Sequence, residues 1–336
     1  MGNRHLPLLL VFLLMLPMSA GAQNPEFNPF RTFTFESDMS PLFSRPQFNS
    51  DGTLLVFKAG YEQVVLDTGT GLCMSRIGGE EDRAVQLFFL TDGGIGILFR
   101  DKDGGSRLEI RHKDRPPQII TAGKTPMRAV ALSPDGLLLA ASLEDKTGTV
   151  VLIDTASGKV IRKLATQEFG YSDIQFSPDG RFLATAGKGG EILLWDPKTG
   201  KRLRSVINEA YRGGLPFIRF TPDGDTVAVV FSNKNQTADS LGFYETETGK
   251  LLWSWDGFGE QCHSLAVLPD SSGVLARLGE LEMIIPFPGA HRVKQILYFG
   301  PDKYSSGYAV SPDGKICVSF PDGTLLIFNP YEITKE

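Results

Sequence analysis

SDIQFSPDGRFLATAGKGGEILLWDPKTGK, residues 172–201, contains most of one folding unit in order. Ser172-Asp173-Ile174-Gln175-Phe176 alternates as a strand, Ser177-Pro178-Asp179-Gly180 turns, and Arg181-Phe182-Leu183-Ala184-Thr185-Ala186 returns antiparallel. Pro at the first central position presets the backbone of a type I turn. Asp suits the next position, and Gly takes the left-handed conformation that closes a tight hairpin with a bulge. After Gly187-Lys188-Gly189-Gly190 comes a third strand, Glu191 to Asp196. Pro197-Lys198-Thr199-Gly200-Lys201 then turns into a fourth, Arg202 to Ile207. Four short strands in a meander with Gly-rich turns make one propeller blade.

The central turn recurs along the chain. Asn49-Ser50-Asp51-Gly52, Leu90-Thr91-Asp92-Gly93, Ser133-Pro134-Asp135-Gly136, Thr221-Pro222-Asp223-Gly224, Leu268-Pro269-Asp270-Ser271 and Ser311-Pro312-Asp313-Gly314 occupy the equivalent place. Successive Asp positions are 41, 43, 44, 44, 47 and 43 residues apart. That is the period of propeller blades with four strands each. The outer half repeats too, as Asp67-Thr68-Gly69-Thr70-Gly71, Asp154-Thr155-Ala156-Ser157-Gly158-Lys159 and Glu245-Thr246-Glu247-Thr248-Gly249-Lys250, with Asn329-Pro330 the truncated last version. In these turns the acidic residue and the following Thr can bond the turn backbone, while Gly supplies the positive φ. The expected fold is all-β, a seven-bladed β-propeller of four-stranded antiparallel blades.

The run Phe176-Ser177-Pro178-Asp179-Gly180, then Leu183-Ala184-Thr185-Ala186-Gly187, then Leu193-Leu194-Trp195-Asp196 resembles the WD-repeat family. The resemblance covers residues 31–330 and is strongest in the third to fifth and seventh repeats. The signature Trp-Asp pair stands once, at Trp195-Asp196. Elsewhere Leu66-Asp67, Ile153-Asp154, Tyr244-Glu245 and Phe328-Asn329 replace it, and Gly170-Tyr171 is nearest to the family's Gly-His pair. The resemblance therefore implies the family's blades, with its structural hydrogen-bond tetrad missing from most of them.

The last repeat has three strands, Gly307 to Val310, Lys315 to Phe320 and Thr324 to Asn329, before the sequence stops. The alternating Arg31-Thr32-Phe33-Thr34-Phe35-Glu36 precedes the first turn and is expected to supply the missing outer strand. This N-terminal strand would close the ring and protect free edges.

Residues 1–22 read as a secretory signal peptide. They combine Arg4, an apolar run from Leu6 to Leu16, and Ala20-Gly21-Ala22 ahead of a cleavage point after Ala22. Residues 23–30 read as a linker, 31–330 as the propeller and 331–336 as a C-terminal tail. No later segment approaches the length of a membrane helix, so the expected location is secreted or periplasmic. The formal net charge of -5 becomes -6 without Arg4 and leaves no electrostatic footprint for nucleic acid. Lys198, Lys201, Arg202 and Arg204, the densest basic cluster, read as a solvated edge that deters strand pairing. Cys73, Cys262 and Cys317 form no disulfide framework and are expected to be buried small hydrophobes. Pairing of Cys262 with Cys317, on neighbouring blades, stays open.

Chemistry-bearing motifs are sparse. Besides His5 of the leader, the histidines are His112, His263 and His291. Cys262-His263 is adjacent, but its side chains are expected on opposite faces of a strand, so no metal site is expected. Ala122-Gly123-Lys124-Thr125 lacks the earlier glycine of a P-loop, and Asp101-Lys102-Asp103-Gly104 lacks the closing Glu of a calcium loop and reads as a hairpin tip. Glu247 to Trp253 resembles the repeat of quinoprotein propellers, but its Trp does not recur from blade to blade. No catalytic residues and no cofactor are expected.

The loops joining each outer strand to the next inner strand should line one mouth of the central channel. They carry Asp38, Glu260 and Lys303, together with the partner-binding candidates Arg83, Phe169, Tyr171, Tyr211, Arg212, Phe258 and Tyr304. Tyr, Phe and Arg are enriched at binding hot spots. The leading expectation is a non-catalytic extracytoplasmic platform for another protein or peptide. The alternative is a lactonase-like propeller enzyme acting on a small substrate, with Asp38, Glu80, Glu81, Asp82, Asp256 and Glu260 as the carboxylates available for a metal.

Overall fold

The computed structural model describes residues 13–15, 30–34, 46–90, 92–121, 125–145, 148–164, 171–187, 190–207, 216–231, 239–256, 262–278, 281–287, 295–298, 307–319 and 324–328. Their strands form seven sheets, each hydrogen-bonded in radial order from the innermost strand outward.

Blade one comprises Gln47–Phe48, Leu54–Ala59, Glu62–Asp67 and Cys73–Gly78. Blade two comprises Asp82–Phe89, Ile95–Asp101, Ser106–His112 and Arg115–Ile120. Blade three comprises Met127–Leu132, Leu138–Leu143, Val150–Asp154 and Val160–Leu164. Blade four comprises Tyr171–Phe176, Leu183–Gly187, Glu191–Trp195 and Arg202–Ile207. Blade five comprises Phe217–Phe220, Thr226–Phe231, Ser240–Glu245 and Leu251–Asp256. Blade six comprises Cys262–Val267, Gly273–Leu278, Leu281–Pro286 and Gln295–Tyr298, with Leu13–Met15 added in parallel at its outer edge.

Blade seven holds Gly307–Val310, Ile316–Ser319 and Thr324–Phe328. Its outer strand is Phe30–Thr34, antiparallel to Thr324–Phe328 with Phe30 opposite Phe328 and Thr34 opposite Thr324. The two ends of the repeat region thus share one sheet, as the alternation of residues 31–36 predicts. Backbone hydrogen bonds along a full strand hold the ring shut.

A blade is buried on both faces, and this accounts for its composition. Side chains alternate across a strand, so Leu183, Leu193 and Trp195 pack toward blade three while Ala184, Ile192 and Leu194 pack toward blade five. Near-continuous apolar runs such as Glu191-Ile192-Leu193-Leu194-Trp195 follow from that double burial. Among the described residues the buried hydrophobics fall into seven clusters, one at each interface between neighbouring blades. At about 25 cal/mol per Å² of apolar surface, these interfaces are the main source of stability.

The interfaces also settle the cysteines. Cys262 lies between blades five and six and Cys317 between blades seven and one, so they do not bond, and all three thiols are free. Burial pushes both of these thiols far above the ordinary thiol range. Cys73 corrects the expectation of burial, because it opens an outer edge strand and is exposed. Arg202 and Arg204 occupy the outer strand of blade four, where both are exposed as expected of a solvated edge. Among the described residues no helix is long and apolar enough to cross a membrane.

Candidate functional site

In a four-stranded antiparallel meander the first and third turns lie at one end of the blade. The second turn and the connection to the next blade lie at the other. The propeller therefore has two chemically different ends.

The first end carries the repeated Asp turns. In blade four, Gly180 N–H donates to Ser177 O (2.9 Å), and the Asp179 carboxylate accepts from Ser177 Oγ (2.6 Å) and Arg181 N (3.0 Å). Ser177 Oγ in turn accepts from Phe182 N at 2.9 Å. Ser133 with Asp135, Thr221 with Asp223 and Ser311 with Asp313 repeat the arrangement. Gly52, Gly93, Gly136, Gly180, Gly224 and Gly314 all have φ between 70° and 86°; Ser271 takes the same place in blade six with φ 54°.

The third turns fold back over these first turns. Thr68 Oγ1 donates to Gly52 O (2.8 Å) and Thr155 Oγ1 to Gly136 O (2.7 Å). Blade two lacks that Thr, and the join is made by His112 Nδ1 and Asp92, 3.0 Å apart. Neighbouring turns also touch around the ring. A Cβ on Gly180 would meet Pro134 of blade three, and one on Gly224 would meet the Asp179 carboxylate of blade four.

The other end is the mouth singled out by the sequence. Among the partner-binding candidates, Arg83 and Tyr171 lie within the described residues. Both belong to innermost strands rather than to the loops before them, Arg83 as the second residue of Asp82–Phe89 and Tyr171 as the first of Tyr171–Phe176, paired with Gly187. Phe169, Tyr211, Arg212, Phe258 and Tyr304 lie outside the described residues, as do Asp38, Glu260 and Lys303.

Arg83 is exposed, and its guanidinium stacks on the Tyr61 ring at 4.1 Å to the centroid, while Nε donates to Glu80 O at 3.4 Å. Burial, and then the Arg83 charge, pull the Lys58 ammonium below its ordinary range. Beside this pair Arg107 grips Asp82 with two hydrogen bonds (2.6 and 2.5 Å) and bonds Glu109 at 2.9 Å. The Asp82 bond, set against partial burial, raises the Arg107 guanidinium above its ordinary range. Burial pushes Glu109 upward, but bonds from Arg111 and Arg107 outweigh it and hold the carboxyl below the usual range. Glu81 pairs with Lys102 at 2.7 Å.

Of the carboxylates proposed for a metal, Asp82 and Glu81 are thus engaged with cations. Among the described residues no three His, Cys, Asp or Glu side chains are placed to hold a metal ion. Asp101 to Gly104 forms the hairpin tip expected, with Gly104 N donating to Asp101 O at 3.2 Å.

Tyr61 was not legible as a site residue, because it sits in a second turn within a blade rather than in a connection between blades. Such turns open on the same mouth and deserve equal weight. Asp173 was also passed over. Its buried carboxylate crosses to blade five, accepting from Arg219 Nη1 (2.9 Å) and Ile218 N (3.2 Å). Asp239 of blade five likewise accepts from Cys262 N of blade six at 2.8 Å.

Comparison with known proteins fits this geometry. The profile of the WD domain, G-beta repeat, matches residues 158–196, from the third turn of blade three to Asp196 of blade four. The chain is 28% identical over 116 residues to retinoblastoma-binding-like protein E of Dictyostelium discoideum, covering 34% of this chain and 22% of that protein. It is 29% identical over 147 residues to human echinoderm microtubule-associated protein-like 2, covering 42% of this chain and 22% of that protein. The chain thus spans less than a quarter of the length of these relatives. A chain in the crystal structure of the mitotic checkpoint complex superposes with a TM-score of 0.73 at 14% identity, over 96% of this chain and 98% of that one, which shows the shared fold.

Proposed function

The chain is a WD-repeat-like seven-bladed propeller, and from that premise we propose that it serves as a rigid, non-catalytic platform on which another protein or an exposed peptide docks. The observation that carries this reading is the closed frame. Seven interblade cores and the Phe30–Thr34 strand fix the blades to one another, so the loops at each mouth are presented from a scaffold that loses little freedom on binding. The relatives' names point the same way, one being retinoblastoma-binding-like and another microtubule-associated, and the structural neighbour belongs to a checkpoint complex.

The docking surface we infer is the mouth bearing Arg83 on Tyr61, for which Phe169, Tyr171, Tyr211, Arg212, Phe258 and Tyr304 are the candidates from the sequence. A cation held flat on an aromatic ring offers a pre-ordered contact for an acidic or aromatic partner group. The apolar leader with Ala20-Gly21-Ala22 supports cleavage after Ala22 and residence outside the cytoplasm. N-terminal sequencing of the protein from the extracytoplasmic fraction should begin at Gln23; an intact Met1 terminus there overturns the cleavage, and recovery of the protein from the cytoplasmic fraction alone overturns the location.

The test is capture. The chain from Gln23, made in an oxidising compartment, is used as bait against extracts of its native cell, with copurifying proteins identified by mass spectrometry. A stoichiometric partner lost on joint substitution of Tyr171, Tyr211, Arg212 and Tyr304 by Ala supports the platform. A partner held equally well by that variant removes this mouth, and a bound small molecule with no partner removes the platform.

A further inference from the structure

Among the described residues blade six is the sheet with a fifth strand. Leu13–Met15 lies along the outer edge of Gln295–Tyr298 in parallel, with Leu13 opposite Ile296, Leu14 opposite Leu297 and Met15 opposite Tyr298. The strand added there belongs to the apolar leader, so removal of the leader after Ala22 bares this edge.

An outermost strand leaves a row of backbone N–H and C=O groups unpaired, and charge, proline or a bulge normally blunts it. The other six outer strands contain Arg76, Arg115, Arg162, Arg204, Asp256 and Arg31, and blade two adds Pro116-Pro117. In blades one to five the register also shifts between the third strand and the outermost. Gln295-Ile296-Leu297-Tyr298 contains neither charge nor proline, and Glu282, Met283 and Ile284 pair with Leu297, Ile296 and Gln295 without a shift. The edge that lacks these devices is the one on which a further strand sits.

We propose that the outer edge of blade six is a strand-addition site, at which Gln295–Tyr298 takes an extended, uncharged apolar segment of another protein once the leader is removed, paired in parallel as Leu13–Met15 is. The inference rests on cleavage after Ala22 and is independent of the mouth around Arg83. Parallel pairing favours a separate segment over a second copy of this chain, because a hydrogen-bonded pair of identical edges about a twofold axis is antiparallel.

The experiment titrates the chain from Gln23 with the peptide acetyl-Lys-Lys-Phe-Leu-Leu-Met-Leu-Lys-Lys-amide, which holds residues 12–16 between solubilising lysines. Two further peptides are N-methylated at the residue equivalent to Leu13 or to Leu14. In a parallel pair alternate residues turn their backbone groups to the neighbouring strand. One methylated peptide should therefore bind about tenfold more weakly and the other should match the parent. Bound peptide should slow amide exchange at residues 295–298. The chain from Met1, whose own strand holds the edge, should bind the parent peptide about tenfold more weakly than the chain from Gln23. No binding, equal effects of the two methylations, protection confined to other residues, or equal affinity of the two chains would each overturn the proposal. So would a peptide-free dimer of the chain from Gln23 protected at 295–298, which would make a second copy the occupant. Both chains are made directly, so the titration judges the edge while N-terminal sequencing judges the cleavage.

Discussion

Arg219 of blade five donates to the Asp173 carboxylate of blade four across 2.9 Å, with side chains 24% and 10% exposed. The pair ties two innermost strands together on the wall of the ring. Removing the carboxylate takes a buried acceptor from both Arg219 and the Ile218 N–H, so Asp173→Ala should cost about 1–3 kcal/mol. Urea unfolding measures it, and a loss under about 1 kcal/mol would show that the pair contributes no more than a surface contact.

Ser271 holds a left-handed backbone (φ 54°) at the place where the other described Asp turns have glycine. A side chain there costs about 1–2 kcal/mol, offset in part by the greater entropy glycine loses on folding. Ser271→Gly should therefore stabilise by about 0.5–1 kcal/mol. The same balance makes Gly180→Ala destabilising, so a calorimetric scan in which the two variants shift Tm in the same direction would contradict it.

The Asp turns should also set the acid limit of the fold. Donation by the Ser133 hydroxyl holds Asp135 below its ordinary 3.8, and donation by the Thr221 hydroxyl does the same for Asp223. A carboxyl lowered in the folded state contributes stability above the unfolded value, and that contribution is lost as pH falls through the folded value, hence below about pH 4. Unfolding at pH 6 and pH 3 should show the wild type losing more stability than Asp135→Asn/Asp223→Asn. An equal loss would place the acid sensitivity elsewhere.

Closure through Phe30–Thr34 predicts that deleting residues 31–36 leaves the edge of Thr324–Phe328 bare. The shortened chain should melt earlier and associate through that edge, as gel filtration would show. An unchanged melting curve and a monomer would mean that the seven interfaces close the ring unaided.

How much of this was legible follows from distance along the chain. The four strands of blade four and the Asp turns depend on neighbours a few residues apart, so residues 172–207 read almost as they fold. Closure was legible because a missing strand at one end and a spare one at the other leave one arrangement. Asp173 with Arg219, His112 with Asp92 and Arg83 with Tyr61 were not, because 20 or more residues separate the members of each pair and no local pattern links them. Cys73 was misread because burial depends on which strand is outermost, and composition alone does not rank four strands of a blade.

Trp195 donates its indole N–H to Thr185 Oγ1 at 3.0 Å, and both residues are buried. The single Trp-Asp repeat therefore keeps a Trp-to-Thr bond between its second and third strands. Thr185→Val nearly conserves shape but strands the indole N–H, which should cost about 1–3 kcal/mol. Trp195→Phe strands the hydroxyl instead and also opens space toward blade three. If the bond matters beyond packing, the double variant loses less than the sum of the two, because neither polar group is then left unpaired. The expected coupling is about 1 kcal/mol, and additive losses within about 0.3 kcal/mol would assign the role of Trp195 to its ring alone.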